Sequence, residues 1–400
     1  MCNLKEYKLD DVFEIIKDSY HPNNDESLNY IGLEHIEQET LRLNSIGKST
    51  DVTSNKYRFL PNDILFGKLR CYFRKVVKPN FEGICSTDIW VCRAKENFDQ
   101  NFLFYFLANR DFINTADNGE GGTRMPRADW DFLKNTIWNF PDKKNQISIA
   151  SILSSLDEKI DLLHRQNKTL EQLIDTLFKQ AFVVYSNDLK KGVLGSLVET
   201  TIGGEWGKEN PEVDFTFQVQ CIRGTDIADL QTGLATRIPT RFVKEKKYNS
   251  IEPIEGDLIM EISGGSDDQS TGRTIYINDQ VKQLFDSPLV FSNFCRLIRC
   301  KKKEYMFYLY SYIQMLYNQG DFFNLENGSS GIRNFDYKAF LFELEYDIHN
   351  TVAILKFNSL VQPYFEKINQ NKKQIRLLTQ YRDMLLPKLL NGEITINNAN

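Results

Sequence analysis

From Ile149 to Ala181, the positions Ile149, Leu153, Leu156, Ile160, Leu163, Asn167, Leu170, Ile174, Leu177 and Ala181 recur in alternating steps of four and three. All but one are apolar, which is the a/d seam of a coiled coil. A second series runs Phe357, Val361, Tyr364, Ile368, Asn371, Ile375, Leu378, Arg382, Leu385, Leu389, with Pro387 and Gly392 predicting its end. A helix cannot bury such a stripe alone, so the two are expected to pair with each other. Each seam carries one asparagine near its middle, Asn167 and Asn371. A buried asparagine costs stability but fixes register and orientation. The plainer alternative is two exposed asparagines on irregular amphipathic helices. At about 1.5 Å per residue the first seam is roughly 50 Å long.

The segments preceding the two helices repeat. Leu9-Asp10-Asp11-Val12-Phe13-Glu14 is answered by Leu194-Gly195-Ser196-Leu197-Val198-Glu199. Leu60-Pro61-Asn62-Asp63-Ile64-Leu65-Phe66 is answered by Ile254-Glu255-Gly256-Asp257-Leu258-Ile259-Met260, in each case a turn with an aspartate leading into a strand. The apolar helical stretch Phe102–Leu107 matches Tyr305–Tyr310. The turn Gly121-Gly122-Thr123-Arg124-Met125-Pro126-Arg127-Ala128-Asp129-Trp130 matches Gly328-Ser329-Ser330-Gly331-Ile332-Arg333-Asn334-Phe335-Asp336-Tyr337. The order is the same and the offset drifts slowly, as it does when two copies differ only in loop length.

With 400 residues, 41% hydrophobic and 26% charged, the chain is long enough for two or three globular domains. No apolar run of about 18 residues occurs, and the charged start is not followed by a signal-peptide core, so a cytoplasmic protein off the membrane is expected. The seven cysteines never fall as CxxC and sit in apolar runs, which predicts reduced core residues.

Catalytic signatures are missing. Gly47-Lys48-Ser49 resembles the end of a phosphate loop, but the required first glycine is Arg42; the Gly203–Glu209 stretch lacks the spacing and the final Ser or Thr. The four histidines have no two-ligand spacing, so neither zinc nor a His-based nucleophile system is expected. No Asn-Pro-Pro-aromatic stretch of the amino-methyltransferase type occurs, and Asp257 and Glu261 lack the lysine that a metal-dependent nuclease would place after them. The pattern predicts a binder with no metal site rather than an enzyme.

A net charge of -5 argues against tight DNA binding by the free chain, because non-specific affinity comes from neutralising phosphates. Local clusters run against that average. Lys56, Arg58, Lys68, Arg70, Arg74, Lys75 and Lys78 face a single acid, Asp63, and interleave with Tyr57, Phe59, Phe66, Tyr72 and Phe73. In the second copy Arg237, Arg241, Lys244, Lys246 and Lys247 cluster, as do Arg296, Arg299, Lys301, Lys302 and Lys303. Such stretches neutralise phosphates, or are solvated faces only. For base reading the candidates are Arg124, Arg127 and Arg333, since guanidinium pairs bidentately with guanine; the alternative is that they bond loop carbonyls.

Pro141, Gln146-Ile147 and the run from Ala150 to Asp161 resemble the conserved-helix opening of type I restriction-modification specificity subunits, and Arg382-Asp383-Met384-Leu385-Leu386-Pro387-Lys388-Leu389-Leu390-Asn391-Gly392-Glu393-Ile394 resembles their second helix signature. The chain departs from that pattern at Leu9-Asp10, where a Leu-Gly pair is usual, and at Asn145, where an acid is usual.

The resemblance implies an α/β (α+β) protein of two duplicated target-recognition domains joined by two long antiparallel coiled-coil helices about a pseudo-twofold. The expected boundaries are residues 1–141 and 187–347 for the recognition domains, 142–186 and 348–391 for the helices, and 392–400 for a tail. Its DNA contacts would come from Lys56, Arg58, Lys68, Arg70, Arg74, Lys75, Arg124, Arg127, Arg241, Lys246, Lys301 and Arg333. The spacer would be built on Leu156, Ile160, Leu163, Asn167, Leu170, Ile368, Asn371, Ile375 and Leu378. Implied partners are double-stranded DNA with a bipartite sequence, two methyltransferase subunits and restriction/translocase subunits. S-adenosylmethionine, ATP and Mg would belong to those subunits, with no cofactor on this chain. Two rival readings remain: a coiled-coil adaptor whose duplicated lobes bind a non-DNA partner, and an autonomous methyltransferase or nuclease.

Overall fold

The computed structural model describes residues 4–22, 26–118, 125–184, 190–233, 238–266, 269–328, 333–394 and 396. The chain is a mixed helix and sheet protein of two compact units, residues 1–159 with 378–400, and residues 160–377.

In the first unit, Ile64, Leu65 and Phe66 form a strand that is buried throughout. Ile64 and Phe66 pack into one core and Leu65 into another, because successive side chains leave opposite faces. That strand belongs to a four-stranded antiparallel sheet in the order Phe13–Ile16, Ile89–Ala94, Ile64–Gly67, Val76–Val77. Helix Gln100–Ala108 covers one face; it is capped by Asp99, which accepts from the Phe102 amide, and residues Phe102–Ala108 are all buried. Beyond the other face a second sheet contains one parallel pair, Asn29–Ile31 beside Gly83–Ser86. Strands Lys5–Lys8 and Ile137–Phe140 pair and lead into the helix Lys143–Lys179.

The second unit repeats this plan. Its sheet has the order Val198–Gly203, Cys295–Cys300, Asp257–Glu261, Thr274–Tyr276. Its parallel pair is Phe217–Ile222 beside Leu289–Phe291, its covering helix is Met306–Gln319, and strands Lys190–Gly192 and Tyr346–Ile348 lead into the helix Thr351–Leu390.

The repeated anchors fall on equivalent elements. Residues Leu9–Val12 and Leu194–Leu197 each form a helical turn feeding a strand. Asp63 accepts from the Leu60 amide at 2.8 Å, and Asp257 from that of Ile254 at 2.8 Å. Each carboxylate also receives a forked pair of bonds from a neighbouring strand, Arg93 Nε and Nη2 at 2.8 Å for Asp63, and Arg299 Nε and Nη2 at 3.0 and 2.8 Å for Asp257. The six described cysteines, Cys71, Cys85, Cys92, Cys221, Cys295 and Cys300, are free and buried, as expected; Cys2 lies outside the described residues.

The helix seams follow the heptad steps with one correction. Ile160, Leu163 and Asn167 are buried on the first helix and Ile368, Asn371 and Ile375 on the second, with Leu156, Leu170 and Leu378 half-buried. After Ile174 the buried positions become Phe178 and Phe182 in place of Leu177 and Ala181. Two successive steps of four, then a π-helical turn over Gln180–Val184, rotate the stripe toward the second unit's aromatic core. The second helix runs through Pro387 to Leu390 and closes at Gly392 with φ 70°, close to the expected end. The asparagines are not exposed: Asn371 Nδ2 donates to Asn167 Oδ1 at 2.8 Å and to Gln166 Oε1 at 2.9 Å.

Candidate nucleic-acid interface

The basic residues of the first unit divide into internal ties and a surface cluster. Lys56 is only 4% exposed, and its ammonium donates to the Ser54 carbonyl and hydroxyl at 2.8 and 2.6 Å. Arg74 is 2% exposed, with Nε on the Ala108 carbonyl at 2.7 Å and Nη2 on Asp383 at 3.0 Å. These two expectations are corrected: a buried cation whose donors are spent on internal partners cannot reach a phosphate. Lys75 donates to the Leu33 carbonyl, and Arg58 lies exposed over the Tyr20 ring at 4.5 Å.

Lys68, Arg70 and Arg127 come together although far apart in sequence. The Lys68 amide donates to the Asp88 carbonyl at 3.0 Å, the Lys68 carbonyl accepts from Ala128 at 2.9 Å, and the Arg70 amide donates to Pro126 at 2.9 Å. The Arg127 guanidinium is forked onto Asp88, at 2.9 and 3.4 Å. Burial pushes the Lys68 ammonium below its usual range, Asp88 opposes that shift, and the charges of Arg127 and Lys17 add to it. Crowding of this kind favours an incoming anion. Arg70 stands at φ 51°, is exposed, and makes no side-chain hydrogen bond to another described residue. Arg124 lies outside the described residues.

In the second unit, Arg241 is a structural cation rather than a surface one, a further correction. It stacks on Trp206 at 3.9 Å and pairs with Glu209 at 3.1 Å. Arg333 pairs with the buried carboxylate of Glu326 at 3.0 Å. Lys246 and Lys301 are exposed; Arg237 lies outside the described residues. Asp257 and Glu261, weighed above as a nuclease pair, are each neutralised by an arginine, Glu261 by Arg273 at 2.6 and 2.8 Å.

The same unit holds a cavity of about 750 Å³ that the sequence did not disclose. Trp206, Arg223, Gly264, Gln269, Asn293 and Phe294 are among the residues lining it. Phe294 is 57% exposed, an unusual position for a large aromatic ring. A Cβ on Gly224 would stand 2.5 Å from Glu261 Oε1, so only glycine leaves that wall open. The one sequence feature that could have pointed to it is the Ser263-Gly264-Gly265-Ser266 run, whose small side chains line the cavity.

No described helix is long and apolar enough to cross a membrane. Residues 1–172 match the family described as the type I restriction modification DNA specificity domain, and the resemblance read from the helix signatures to type I restriction enzyme specificity subunits stands. The chain is 26% identical over 329 residues to the type I restriction enzyme MjaIX specificity subunit of Methanocaldococcus jannaschii, covering 76% of this chain and 71% of that one. It is 25% identical over 162 residues to the EcoDI specificity subunit of Escherichia coli, covering 40% of this chain and 33% of that one. Its fold is similar to the crystal structure of the type I restriction-modification system S subunit from M. genitalium, with a TM-score of 0.55 and 16% identity over 97% of this chain and 96% of that one.

Proposed function

We propose that this chain is the DNA sequence-recognition subunit of a type I restriction-modification complex. Each recognition domain, residues 1–141 and 187–347, reads one half of a bipartite site. The helices of residues 142–186 and 348–391 set the spacing and dock two methyltransferase subunits. The observation that carries this reading is the repetition: two sheets of the same strand order, each with an Asp–Arg fork at the entry of the same strand, each leading into a long helix. Two units of one design on one chain suit a split target with two related docking surfaces.

An antiparallel helix pair is supported by contacts within each unit. Asn371 bonds Asn167 in one, and Arg382 bonds Asp157 in the other, so later positions of the second helix meet earlier positions of the first. A pair roughly 50 Å long exceeds one DNA turn of about 34 to 36 Å, which suits half-sites separated by unread base pairs. The chain acts in the cytoplasm and performs no chemistry; S-adenosylmethionine, ATP and Mg belong to its methyltransferase and restriction/translocase partners. No observation favours the adaptor or the autonomous enzyme.

The test is a map of methylated adenines in the host with and without this gene. Deletion is expected to abolish one split motif; an unchanged map refutes the reading. Inserting one heptad between Leu156 and Leu177 is expected to lengthen the gap of the motif and preserve both halves.

A further inference from the structure

The cationic cluster of the first unit and the cavity of the second occupy the same place in the repeated fold. In the first unit the Lys68 amide donates to the Asp88 carbonyl at 3.0 Å and the Lys68 carbonyl accepts from Ala128 at 2.9 Å. In the second the Ile262 amide donates to the Phe294 carbonyl at 2.8 Å and the Ile262 carbonyl accepts from Phe335 at 3.0 Å. Beside these bonds Leu69 bridges Arg127, and Ser263 pairs with Asn334. Three segments therefore meet identically in both units, and the turns at Asp88 and Phe294 follow the ends of the parallel strands Gly83–Ser86 and Leu289–Phe291.

Side chains at equivalent positions differ: Asp88 against Phe294, Lys68 against Ile262, Arg127 against Asn334. A constant backbone carrying different side chains, half-buried or exposed, is what two domains need if each reads a different sequence. We propose that these two junctions are the base-reading sites, each inserted into the major groove of duplex DNA. Arg70 and Lys68 specify guanine in one half-site, and Asn293 and Phe294 specify an A·T pair in the other. Arginine and lysine match the O6 and N7 acceptors of guanine, asparagine matches adenine N6 and N7, and an aromatic ring packs on the thymine methyl. Arg70, Asn293 and Phe294 are all exposed, so truncating them leaves the cores intact.

The assignment rests on the specificity-subunit reading, and the experiment separates the two. The full chain is expressed with its modification partners in a host deleted for this gene, and methylated adenines are mapped. Arg70→Ala is expected to relax one G·C position of one half-site, with discrimination falling about 10- to 100-fold. Asn293→Ala with Phe294→Ala is expected to relax A·T positions of the other half-site only. Lys246→Ala with Lys301→Ala lowers the extent of methylation and leaves the motif unchanged. If restoring the intact gene produces no split motif, the specificity reading fails. If it does, and both junction variants keep both halves unchanged or alter the same half, the assignment of the junctions is overturned. Should the double variant lose all methylation, Phe294→Leu alone replaces it, and an unaltered half-site then overturns the assignment equally.

Discussion

Replacing Asp157 by leucine removes one anion from a buried network that holds the two helices against the first unit. Arg382, with 1% of its side chain exposed, donates to Asp157 at 2.8 Å and to Asp383 at 3.1 Å. Asp383 also receives Arg74 at 3.0 Å, Glu39 pairs with Arg74 and Arg110, and the Tyr105 hydroxyl donates to Asp157 at 2.7 Å. Three cations face three anions. Asp157→Leu leaves a surplus positive charge where water cannot reach it, at a cost of about 3–5 kcal/mol. Removing both charges with Asp157→Leu and Arg382→Met restores neutrality and is expected to recover most of that loss, since apolar replacement of a buried pair is neutral or stabilising. For a unit of this size the single variant is expected to melt about 10 °C lower by calorimetry, with the double variant close to the parent. A single variant within about 2 °C of the parent, or a double variant no better than the single, refutes the reasoning.

Asn371→Leu strands the Asn167 carbonyl oxygen in the helix interface, and a loss of about 1–3 kcal/mol is expected by urea unfolding, smaller when Asn167→Leu is added. Lys372 is 5% exposed and its ammonium is pushed down to about 8 by burial, with Glu171 opposing the shift. Between about pH 8 and its unfolded value near 10.5 the unfolded chain holds the extra proton, so stability rises with pH across that window, and the full penalty of roughly 3 kcal/mol applies below it. Lys372→Met is expected to flatten that rise; thermal melts at pH 7.5 and 9.5 that move in parallel for both proteins rule it out. Asp257→Ala and Asp63→Ala leave a turn amide and a forked arginine unpaired, and each is expected to destabilise its own unit by about 1–3 kcal/mol, read from hydrogen exchange of the adjoining strand.

What the sequence made legible is what depends on neighbours in the chain. The heptad steps located both helices, and the match of residues 121–130 with 328–337 paired Ala128 with Phe335, which make equivalent bonds to Lys68 and Ile262. The failures depend on distant partners. Arg74 read as one more cation in a basic stretch, but its partner Asp383 is 309 residues away. The shift from Leu177 to Phe178 follows from the aromatic cluster of Phe178, Phe182, Tyr308 and Phe357, whose members are far apart in the sequence. Pro387 and Gly392 marked the helix end to within a few residues: Pro387 lies in the last turn, where Asn391 donates to its carbonyl at 2.9 Å.

Duplication explains why the proposed reading positions were the hardest to find. Where both copies must do the same thing, as at Asp63 and Asp257, the residue type recurs and the repeat reveals it. Where each copy must read something different, residue types diverge and only the backbone stays constant. Asp88 and Phe294 share no chemistry, and their equivalence appears only through the amides of Lys68 and Ile262 that donate to them. On the proposed reading, the positions at which the backbone repeats and the side chains do not are the ones where specificity is set.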